Sequence, residues 1–337
     1  MRALRCIAPH NVQIVDVPEP KLGADELLVE PLASGICGTD LEIIEGGVDP
    51  AYIRYPITLG HEWVGRVVSL GEGVSSPKVG SKIVVEGIIP CEKCVECLKG
   101  ATNRCAIYDE IGFTRDGAGA ERIAVPAHLH HVLNERVSLE SAALVEPAAV
   151  VYQGLLRLDP ARGANILVVG DGTIGLLAAK LLQKFLPANV DMFGLRQSQN
   201  QLAMQAGASK FITNKDELTK NYDYVLEAAG AIVAVELAIS QAKRGGKILL
   251  LGYPEQGARL QLGVHDLINN DLTLHASFSY TRRSWKSVVD QLNSGELDLN
   301  FIVTHRFPLE EWESALKILK TGTSEARGKV LLTLNGD

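Results

Sequence analysis

The pattern of hydrophobic and polar positions changes twice along the 337 residues of the chain. Over roughly the first ninety residues, short apolar runs alternate with polar positions and with Pro or Gly turns, which is typical of half-buried strands. Residues 12–17, 26–30, 64–70 and 81–85 carry this pattern. The beginning of the chain is therefore predicted to form a strand-rich domain with irregular loops.

From Ser138 onward, apolar residues follow the spacing of a helix, which Ser138 is predicted to cap and which extends to about residue 158. Strands and helices then alternate to about residue 280. The predicted strands of this stretch are residues 164–169, 189–194, 211–212, 222–227, 247–252 and 272–278. Such an alternation predicts a parallel sheet with helices on both faces.

The last part of the chain returns to a mixed pattern, and we expect it to rejoin the first domain. Its predicted helices are residues 285–292 and 309–319, and its predicted strands are residues 301–306 and 329–334. The predicted fold class is thus α/β, with a doubly wound parallel-sheet (Rossmann) domain at 148–283. The second, strand-rich catalytic domain is built from both chain ends, 1–147 and 284–337.

The composition is that of an ordinary globular protein, with 46% hydrophobic and 22% charged residues. The net charge of −7 argues against nucleic-acid binding. No apolar run approaches the length of a membrane span, and the stretch after Met1 lacks the hydrophobic region of a secretory signal. We therefore expect a cytoplasmic protein with a small-molecule partner.

Four of the six cysteines fall within fifteen residues, at Cys91, Cys94, Cys97 and Cys105. Without a secretory signal, such clustering favours metal binding over disulfides. Four thiolates this close in sequence can complete a tetrahedral zinc site with no open position, as structural zinc sites do. An iron–sulfur cluster is the alternative, but the spacing differs from that of ferredoxins. We predict a structural-zinc lobe at residues 88–108.

A second set of metal ligands is predicted from residues that lie far apart in the sequence. Thiolate, imidazole and carboxylate groups suit zinc, and a catalytic zinc keeps one position open. Alone, a His-Glu pair is usually a surface feature and a lone Cys is usually a small hydrophobe, so the combination carries the prediction. The predicted ligands are Cys37, His61, Glu62 and Glu146.

Other polar residues differ in their predicted relation to this site. The Thr39 hydroxyl can pass a proton between the site and solvent, and Asp40 can orient a neighbouring ligand. Three clustered histidines, His128, His130 and His131, also have the residue type of metal ligands. We interpret them as part of a polar loop and strand edge, because better ligands lie elsewhere.

An apolar strand leads into the pattern G-x-G-x-x-G and a helix follows, which is the context of a dinucleotide-binding loop. The first glycine allows a tight turn, the second lets the backbone approach a pyrophosphate, and the third lets helix and strand pack closely. The helix N terminus faces the phosphates. The predicted cofactor contacts are Gly170, Gly172, Thr173, Ile174 and Gly175.

The end of the second strand of this domain predicts which dinucleotide binds. An acidic residue there would bond the ribose 2′-hydroxyl of NAD, but this chain has Gly194, Leu195 and Arg196. Arg196 can bind the 2′-phosphate of NADP through two hydrogen bonds, so NADP is predicted to be preferred over NAD. The alternative is that Arg196 is merely solvated and that Asp191 binds NAD in a shifted register.

Together, these motifs resemble the zinc-dependent medium-chain dehydrogenase/reductase family, of the alcohol, polyol and sugar dehydrogenase type, over the whole chain. The matching motifs, in the family's order, are residues 35–40, 60–65, 91–105, 146–147 and 170–175. The resemblance implies a catalytic zinc held by Cys37, His61 and Glu62, and a structural zinc held by the four clustered cysteines. It further implies that Glu146 is another ligand or holds a water molecule, and that Thr39 relays the proton and touches the substrate.

The chain mixes features of several subfamilies. Residues 37–43 and 194–196 are similar to NADP-using glucose dehydrogenases, and residues 60–63, 111–117 and 277–281 to polyol and aminocyclitol dehydrogenases. Val150 replaces a sugar-binding Asp of the glucose enzymes, and Glu42 replaces a His of the sorbitol and threonine enzymes. By analogy with the glucose enzymes, Glu110 can reach a substrate hydroxyl.

The resemblance implies hydride transfer between NADP(H) and a hydroxyl or carbonyl group of a sugar, polyol or cyclitol, with two zinc ions per chain. One alternative is a simple secondary-alcohol or threonine dehydrogenase that uses NAD. Another is a zinc-independent protein that reduces quinone-like substrates or senses the dinucleotide. The resemblance also implies a homodimer or homotetramer that pairs through the sixth strand of the parallel sheet, with no nucleic-acid or membrane partner.

Overall fold

The computed structural model describes residues 1–321 and 324–334. The chain divides into two compact units. The first comprises Met1–Glu146, Thr281–Gly322 and Lys329–Asp337, and the second comprises Pro147–Tyr280 and Thr323–Gly328. The predicted C-terminal part of the strand-rich domain includes residues 322–323 and 335–337, which lie outside the described residues.

The helices and strands follow the predicted changes of pattern along the chain. The strands are β1 (Arg2–Ala8), β2 (Asn11–Asp16), β3 (Glu26–Ile36), β4 (Ile57–Thr58), β5 (Glu62–Leu70), β6 (Lys82–Val85), β7 (Ile123–Pro126), β8 (His130–Val132), β9 (Asn165–Val169), β10 (Asn189–Phe193), β11 (Lys210–Ile212), β12 (Tyr222–Glu227), β13 (Ala242–Leu250), β14 (Thr273–Ala276), β15 (Val303–Pro308) and β16 (Lys329–Thr333). The helices are α1 (Gly38–Glu45), α2 (Val95–Leu98), α3 (Leu139–Ala143), α4 (Val145–Leu158), α5 (Thr173–Leu182), α6 (Asn200–Gln205), α7 (Ile232–Gln241), α8 (Val264–Asn269), α9 (Arg282–Ser294) and α10 (Trp312–Thr321).

The first unit contains two sheets. A three-stranded sheet has the order β2-β1-β4, and a seven-stranded sheet has the order β15-β16-β3-β5-β6-β8, with β7 also paired to β3. Half-buried and buried positions alternate along β3 until its last residues, where both faces are buried. Because β3 pairs with β5 and with β16 in antiparallel fashion, the end of β3 meets the beginnings of both neighbours.

The second unit is built on a six-stranded parallel sheet in the order β11-β10-β9-β12-β13-β14. Of the six strands, β9 comes first in the sequence but lies inside the sheet. The strand order changes direction between β9 and β12, as in the doubly wound dinucleotide-binding fold. Both faces of β9 and β12 are largely buried, as expected where helices cover a parallel sheet on both sides. The predicted fold class is confirmed.

The helix predicted from residue 138 to about residue 158 is in fact two helices, α3 and α4, which separate at Leu144. Pro147 explains the break, because its ring lacks an N–H and would collide with the carbonyl of Ala143 in a continuous helix. The break places Glu146 in the first turn of α4. Ser138 caps α3 by accepting a hydrogen bond from the backbone of the first turn.

Candidate active site

Three of the predicted zinc ligands meet in the seven-stranded sheet. Cys37 follows the end of β3 and is the N-cap of α1, whereas His61 and Glu62 stand at the beginning of β5. The antiparallel register places Gly35 opposite Glu62. One ligand atom from each of the three side chains lies within 4.8 Å of the other two. Thiol, imidazole and carboxylate atoms this close together fit a zinc ion.

Asp40 and Thr39 lie beside this cluster on α1. Asp40 Oδ1 is 3.6 Å from His61 Nδ1, and Asp40 Oδ2 accepts a hydrogen bond from Cys37 N at 2.8 Å. Thr39 Oγ1 is 3.6 Å from Cys37 Sγ. Burial lowers the pKa of His61, but Asp40 and Cys37 outweigh burial and raise that pKa well above its usual value. The groups around His61 therefore favour a cation at this place, either a proton or a metal ion.

A lysine that the sequence analysis did not identify also belongs to this cluster. Lys329 begins β16 and is buried; its Nζ forms an ion pair with Glu62 and donates a hydrogen bond to Ile36 O at 3.2 Å. Burial lowers the pKa of Lys329, but Glu62 and Cys37 outweigh it and raise that pKa. A side chain at Gly35 would overlap Glu62, so the glycine leaves room for the pair. The Glu62 carboxylate was the available sign of such a lysine, because a buried carboxylate needs a charged partner.

Two further carboxyl groups lie near the three ligands. Among the described residues, Glu146 does not belong to the group of ligand atoms that lie within 4.8 Å of one another. Burial, together with the charge of Glu62, raises the pKa of Glu146 to about 8. Glu110 is buried, and burial raises its pKa. The Tyr108 hydroxyl donates a hydrogen bond to Glu110 Oε2. Tyr108 was also missed from the sequence, where nothing except its position two residues before Glu110 marks it.

The four clustered cysteines form a separate lobe of the first unit. Their sulfur atoms lie within 4.8 Å of one another, and Cys91 Sγ is 4.0 Å from Cys97 Sγ. Backbone hydrogen bonds lower the pKa of Cys94 to about 6, whereas partial burial and the neighbouring thiols raise the pKa of Cys97 to about 12. Cys91 N also donates a hydrogen bond to Cys105 Sγ at 3.3 Å. Four sulfurs in this arrangement fit a closed tetrahedral zinc site.

Each of the three clustered histidines contacts a protein group of its own. His131 Nε2 is 2.9 Å from Glu86 Oε1, and His128 Nε2 is 3.6 Å from Glu92 Oε1. His130 Nδ1 is 2.5 Å from a backbone carbonyl oxygen of the preceding turn. Within residues 1–321 and 324–334, these histidines belong to no group whose atoms are close enough to share a metal ion.

The glycine loop joins β9 to α5 in the second unit. Gly170 has a φ of +122°, and a Cβ there would lie 2.8 Å from the backbone that follows β12. A Cβ at Gly175 would overlap the carbonyl oxygen of Gly170, whereas one at Gly172 would meet nothing within 4 Å. Gly172 is the N-cap of α5, and Thr173 and Ile174 begin the helix. The loop thus leaves open space before the helix N terminus, which fits a pyrophosphate group.

Arg196 lies beside this loop. Its Nη2 donates a hydrogen bond to Asp171 Oδ1 at 2.7 Å, and its backbone N donates to Asp171 Oδ2 at 3.3 Å. The Asp171 side chain fills the space that a side chain at Gly194 would occupy. Asp191, the alternative cofactor ligand, lies within β10 and accepts a hydrogen bond from the Tyr222 hydroxyl at 2.8 Å.

Two family models match the chain: Alcohol dehydrogenase GroES-like domain over residues 23–135, and Zinc-binding dehydrogenase over residues 173–294. The chain is 29% identical to an L-threonine 3-dehydrogenase of Photorhabdus laumondii, over 98% of this chain and 99% of the relative. A protein of Sinorhizobium meliloti 1021, described as a zinc-binding dehydrogenase and bound to NADP, has a TM-score of 0.91 and 27% identity over 99% of both chains. Galactitol-1-phosphate dehydrogenase of Escherichia coli has a TM-score of 0.88 and 28% identity, over 99% of this chain and 100% of that one.

The chain therefore belongs to the zinc-type medium-chain dehydrogenases/reductases, as its motifs predicted. It is an enzyme of the zinc-binding alcohol and polyol dehydrogenase type. Every helix within residues 1–321 and 324–334 is too short or too polar to span a bilayer. Family and enzyme class are thus established.

Proposed function

We propose that the enzyme transfers a hydride between NADP(H) and a hydroxyl or carbonyl group of a sugar, polyol or cyclitol, and that it uses one catalytic zinc ion. The observation that carries this proposal is the approach of Cys37, His61 and Glu62, whose ligand atoms lie within 4.8 Å of one another. The similarity to galactitol-1-phosphate dehydrogenase supports a substrate with several hydroxyl groups.

Cys37, His61 and Glu62 are the proposed zinc ligands. Zinc bound there would polarise a carbonyl oxygen or lower the pKa of an alcohol. Asp40 faces His61 Nδ1. Asp40 would thereby orient the imidazole and leave its Nε2 available to the metal. The Thr39 hydroxyl takes the proton from the substrate hydroxyl and passes it toward solvent.

Two carboxyl groups near the ligands are proposed to bind the substrate, and a tyrosine is proposed to position one of them. Glu146 accepts hydrogen bonds from substrate hydroxyl groups or from a water molecule, or completes the metal coordination. Glu110 binds a second hydroxyl group, and Tyr108 holds the Glu110 carboxyl group in position through its hydrogen bond. Several carboxyl groups in one buried place suit a substrate that brings several hydroxyl donors.

The second unit is proposed to bind the dinucleotide at its glycine loop. The open space at Gly172 and the N terminus of α5 accommodate the pyrophosphate. Gly194 and the exposed Leu195 lie beside the adenosine ribose, and Arg196 binds the 2′-phosphate. The NADP bound to the Sinorhizobium meliloti relative supports this choice of cofactor.

We also propose a structural zinc ion in the cysteine lobe, a cytoplasmic location and a homodimer or homotetramer. The proposed structural ligands are Cys91, Cys94, Cys97 and Cys105. All six cysteines are free, which supports a reducing compartment. Strand β14 is an edge strand of the parallel sheet, and a second copy of the chain can pair along such an edge.

A second candidate is an L-threonine or simple secondary-alcohol dehydrogenase that uses NAD. The similarity over nearly the whole chain to L-threonine 3-dehydrogenases is the observation that favours it. A zinc-independent quinone-reductase-like or dinucleotide-sensing protein receives less support, because such a protein would not need three clustered metal ligands.

The test is an initial-rate absorbance assay of purified, zinc-loaded enzyme, with NADP and NAD in parallel. The substrates are aldoses, acyclic polyols, cyclitols, L-threonine and simple secondary alcohols, and zinc per chain is measured on the same sample. Turnover of a sugar or polyol with preference for NADP supports the proposal. Turnover of threonine with NAD favours the second candidate, and a protein that binds zinc only in the cysteine lobe contradicts the zinc mechanism.

A further inference from the structure

A segment close to the end of the chain belongs to the second unit and lies beside the glycine loop. The described part of this segment is residues 324–328, and it contains Arg327. The fully buried Gln199 connects this segment to the glycine loop. Its Nε2 donates hydrogen bonds to Asp171 O at 2.5 Å and to Arg327 O at 2.9 Å. Its Oε1 accepts a hydrogen bond from Arg327 N at 2.7 Å. The backbone of Arg327 is thereby held next to the loop that is proposed to receive the cofactor.

Three charged side chains lie near one another beside the glycine loop. Arg196 forms a 2.7 Å ion pair with Asp171, and it follows the carboxyl end of β10. The partly buried Arg327 side chain lies close enough to both for their charges to act on it: burial and Arg196 lower its pKa, and Asp171 raises it. Two guanidinium groups and one carboxylate carry a net charge of +1, which attracts an anion.

We propose that Arg327 joins Arg196 in binding the 2′-phosphate of NADP(H), and that Asp171 opposes this binding. The inference rests on the proposed use of NADP. A phosphate monoester carries a charge of about −1.5 to −2 and three acceptor oxygens, which match two guanidinium groups better than one. Asp171 repels the same phosphate and occupies Arg196 while the site is free.

The experiment is isothermal titration calorimetry with adenosine 2′,5′-bisphosphate and with adenosine 5′-monophosphate, which lacks the 2′-phosphate. We expect Arg327→Gln to weaken binding of the bisphosphate about ten-fold, because one charged hydrogen-bonding partner is lost, and to leave the monophosphate unchanged. Asp171→Asn changes affinity in the opposite direction and tightens the bisphosphate several-fold. Arg244→Gln is the matched control, because Arg244 is exposed near the amino end of β13, whereas Arg196 follows the carboxyl end of β10.

The outcomes separate this inference from the proposal on which it rests. If Arg196→Gln weakens the bisphosphate and Arg327→Gln does not, the inference is wrong and the use of NADP stands. If the unmodified enzyme binds both ligands equally well, both are wrong. Equal weakening of both ligands by Arg327→Gln would mean that Arg327 only supports the fold. Arg327→Lys keeps the charge and should bind the bisphosphate with intermediate affinity, with thermal unfolding as the check on folding.

Discussion

The two predicted metal sites of the first unit are built in opposite ways. In the sheet site, the ligands come from two strand ends that lie apart in the sequence, and His61 and Glu62 are 6% and 1% exposed. In the cysteine lobe, four ligands come from a stretch of fifteen residues. Neither the helix α2 nor the short turn Thr102–Arg104 of that lobe contains a buried residue.

The difference shows where folding energy is available without a metal. Backbone pairing of β3 with β5 and β16 holds the sheet site in place, so the proposed catalytic zinc would serve chemistry rather than folding. Around the four cysteines, three apolar side chains of the lobe are instead exposed: Val95, Leu98 and Ile107 are 64%, 75% and 56% exposed. The proposed structural zinc would then be the main source of folding energy for the lobe. Metal removal should abolish activity at one site and structure at the other.

The largest effect is expected from His61→Ala. Turnover should fall by about 10³-fold or more, because a Lewis-acid metal contributes several kcal/mol to transition-state stabilisation. The thermal midpoint should change little, and zinc analysis should show the loss of one of the two proposed ions. Cys6→Ala, which alters a buried cysteine outside both sites, is the control and should keep both ions. Full turnover by His61→Ala would contradict the zinc mechanism.

Cys97→Ala tests the other side of the comparison. With three sulfur ligands left, we expect the lobe to lose its metal and unfold locally, while turnover persists at low temperature. Limited proteolysis with mass spectrometry should then detect cleavage within residues 91–105. Cys37→Ala is the matched control, because it removes a ligand from the sheet site and should leave the lobe resistant. An unchanged cleavage pattern in Cys97→Ala would mean that the lobe folds without metal.

Lys329→Met asks whether the sheet site is held together by protein charges alone. Glu62 would keep a buried charge without its partner, and we expect the free energy of unfolding to fall by about 3 kcal/mol in metal-free protein. The loss should be smaller in zinc-loaded protein, where a cation replaces the lysine. Urea unfolding of both forms measures this difference. Lys320→Met, which breaks an exposed pair with Glu45, should cost less than about 1 kcal/mol; an equal cost for both variants would be evidence against the argument.

Most of the fold could be predicted because its signals are local. The strand, glycine loop and helix from β9 to α5 lie in one continuous stretch, and the parallel sheet follows from the repeated alternation. The break at Leu144 was missed because the apolar spacing continues across it. The ring of Pro147 breaks the helix there. The periodicity of apolar residues does not reveal a steric conflict at a single residue.

Only part of the candidate site could be predicted from the sequence. Cys37, His61 and Glu62 have the residue types of metal ligands and lie in short motifs, so their approach could be anticipated. Lys329 could not be assigned, because it is 267 residues away from Glu62 and reaches it through strand pairing near the end of the chain. The same holds for Arg327, which Gln199 brings to the glycine loop. Partners of this kind depend on sheet topology, which no local pattern encodes.

The smallest predicted effect comes from Asp40→Asn, which tests orientation of a ligand rather than the ligand itself. The amide can still accept the hydrogen bond from Cys37 N, but it presents no negative charge to His61 Nδ1. Zinc affinity of the sheet site should fall by about 10- to 100-fold, as measured by competition with a chelator. Asp49→Asn is the matched control: the exposed Asp49 also accepts a backbone hydrogen bond, from Ala51 N at 2.9 Å. Equal affinities in both variants would mean that strand pairing alone orients the imidazole and that Asp40 serves only as a cap of α1.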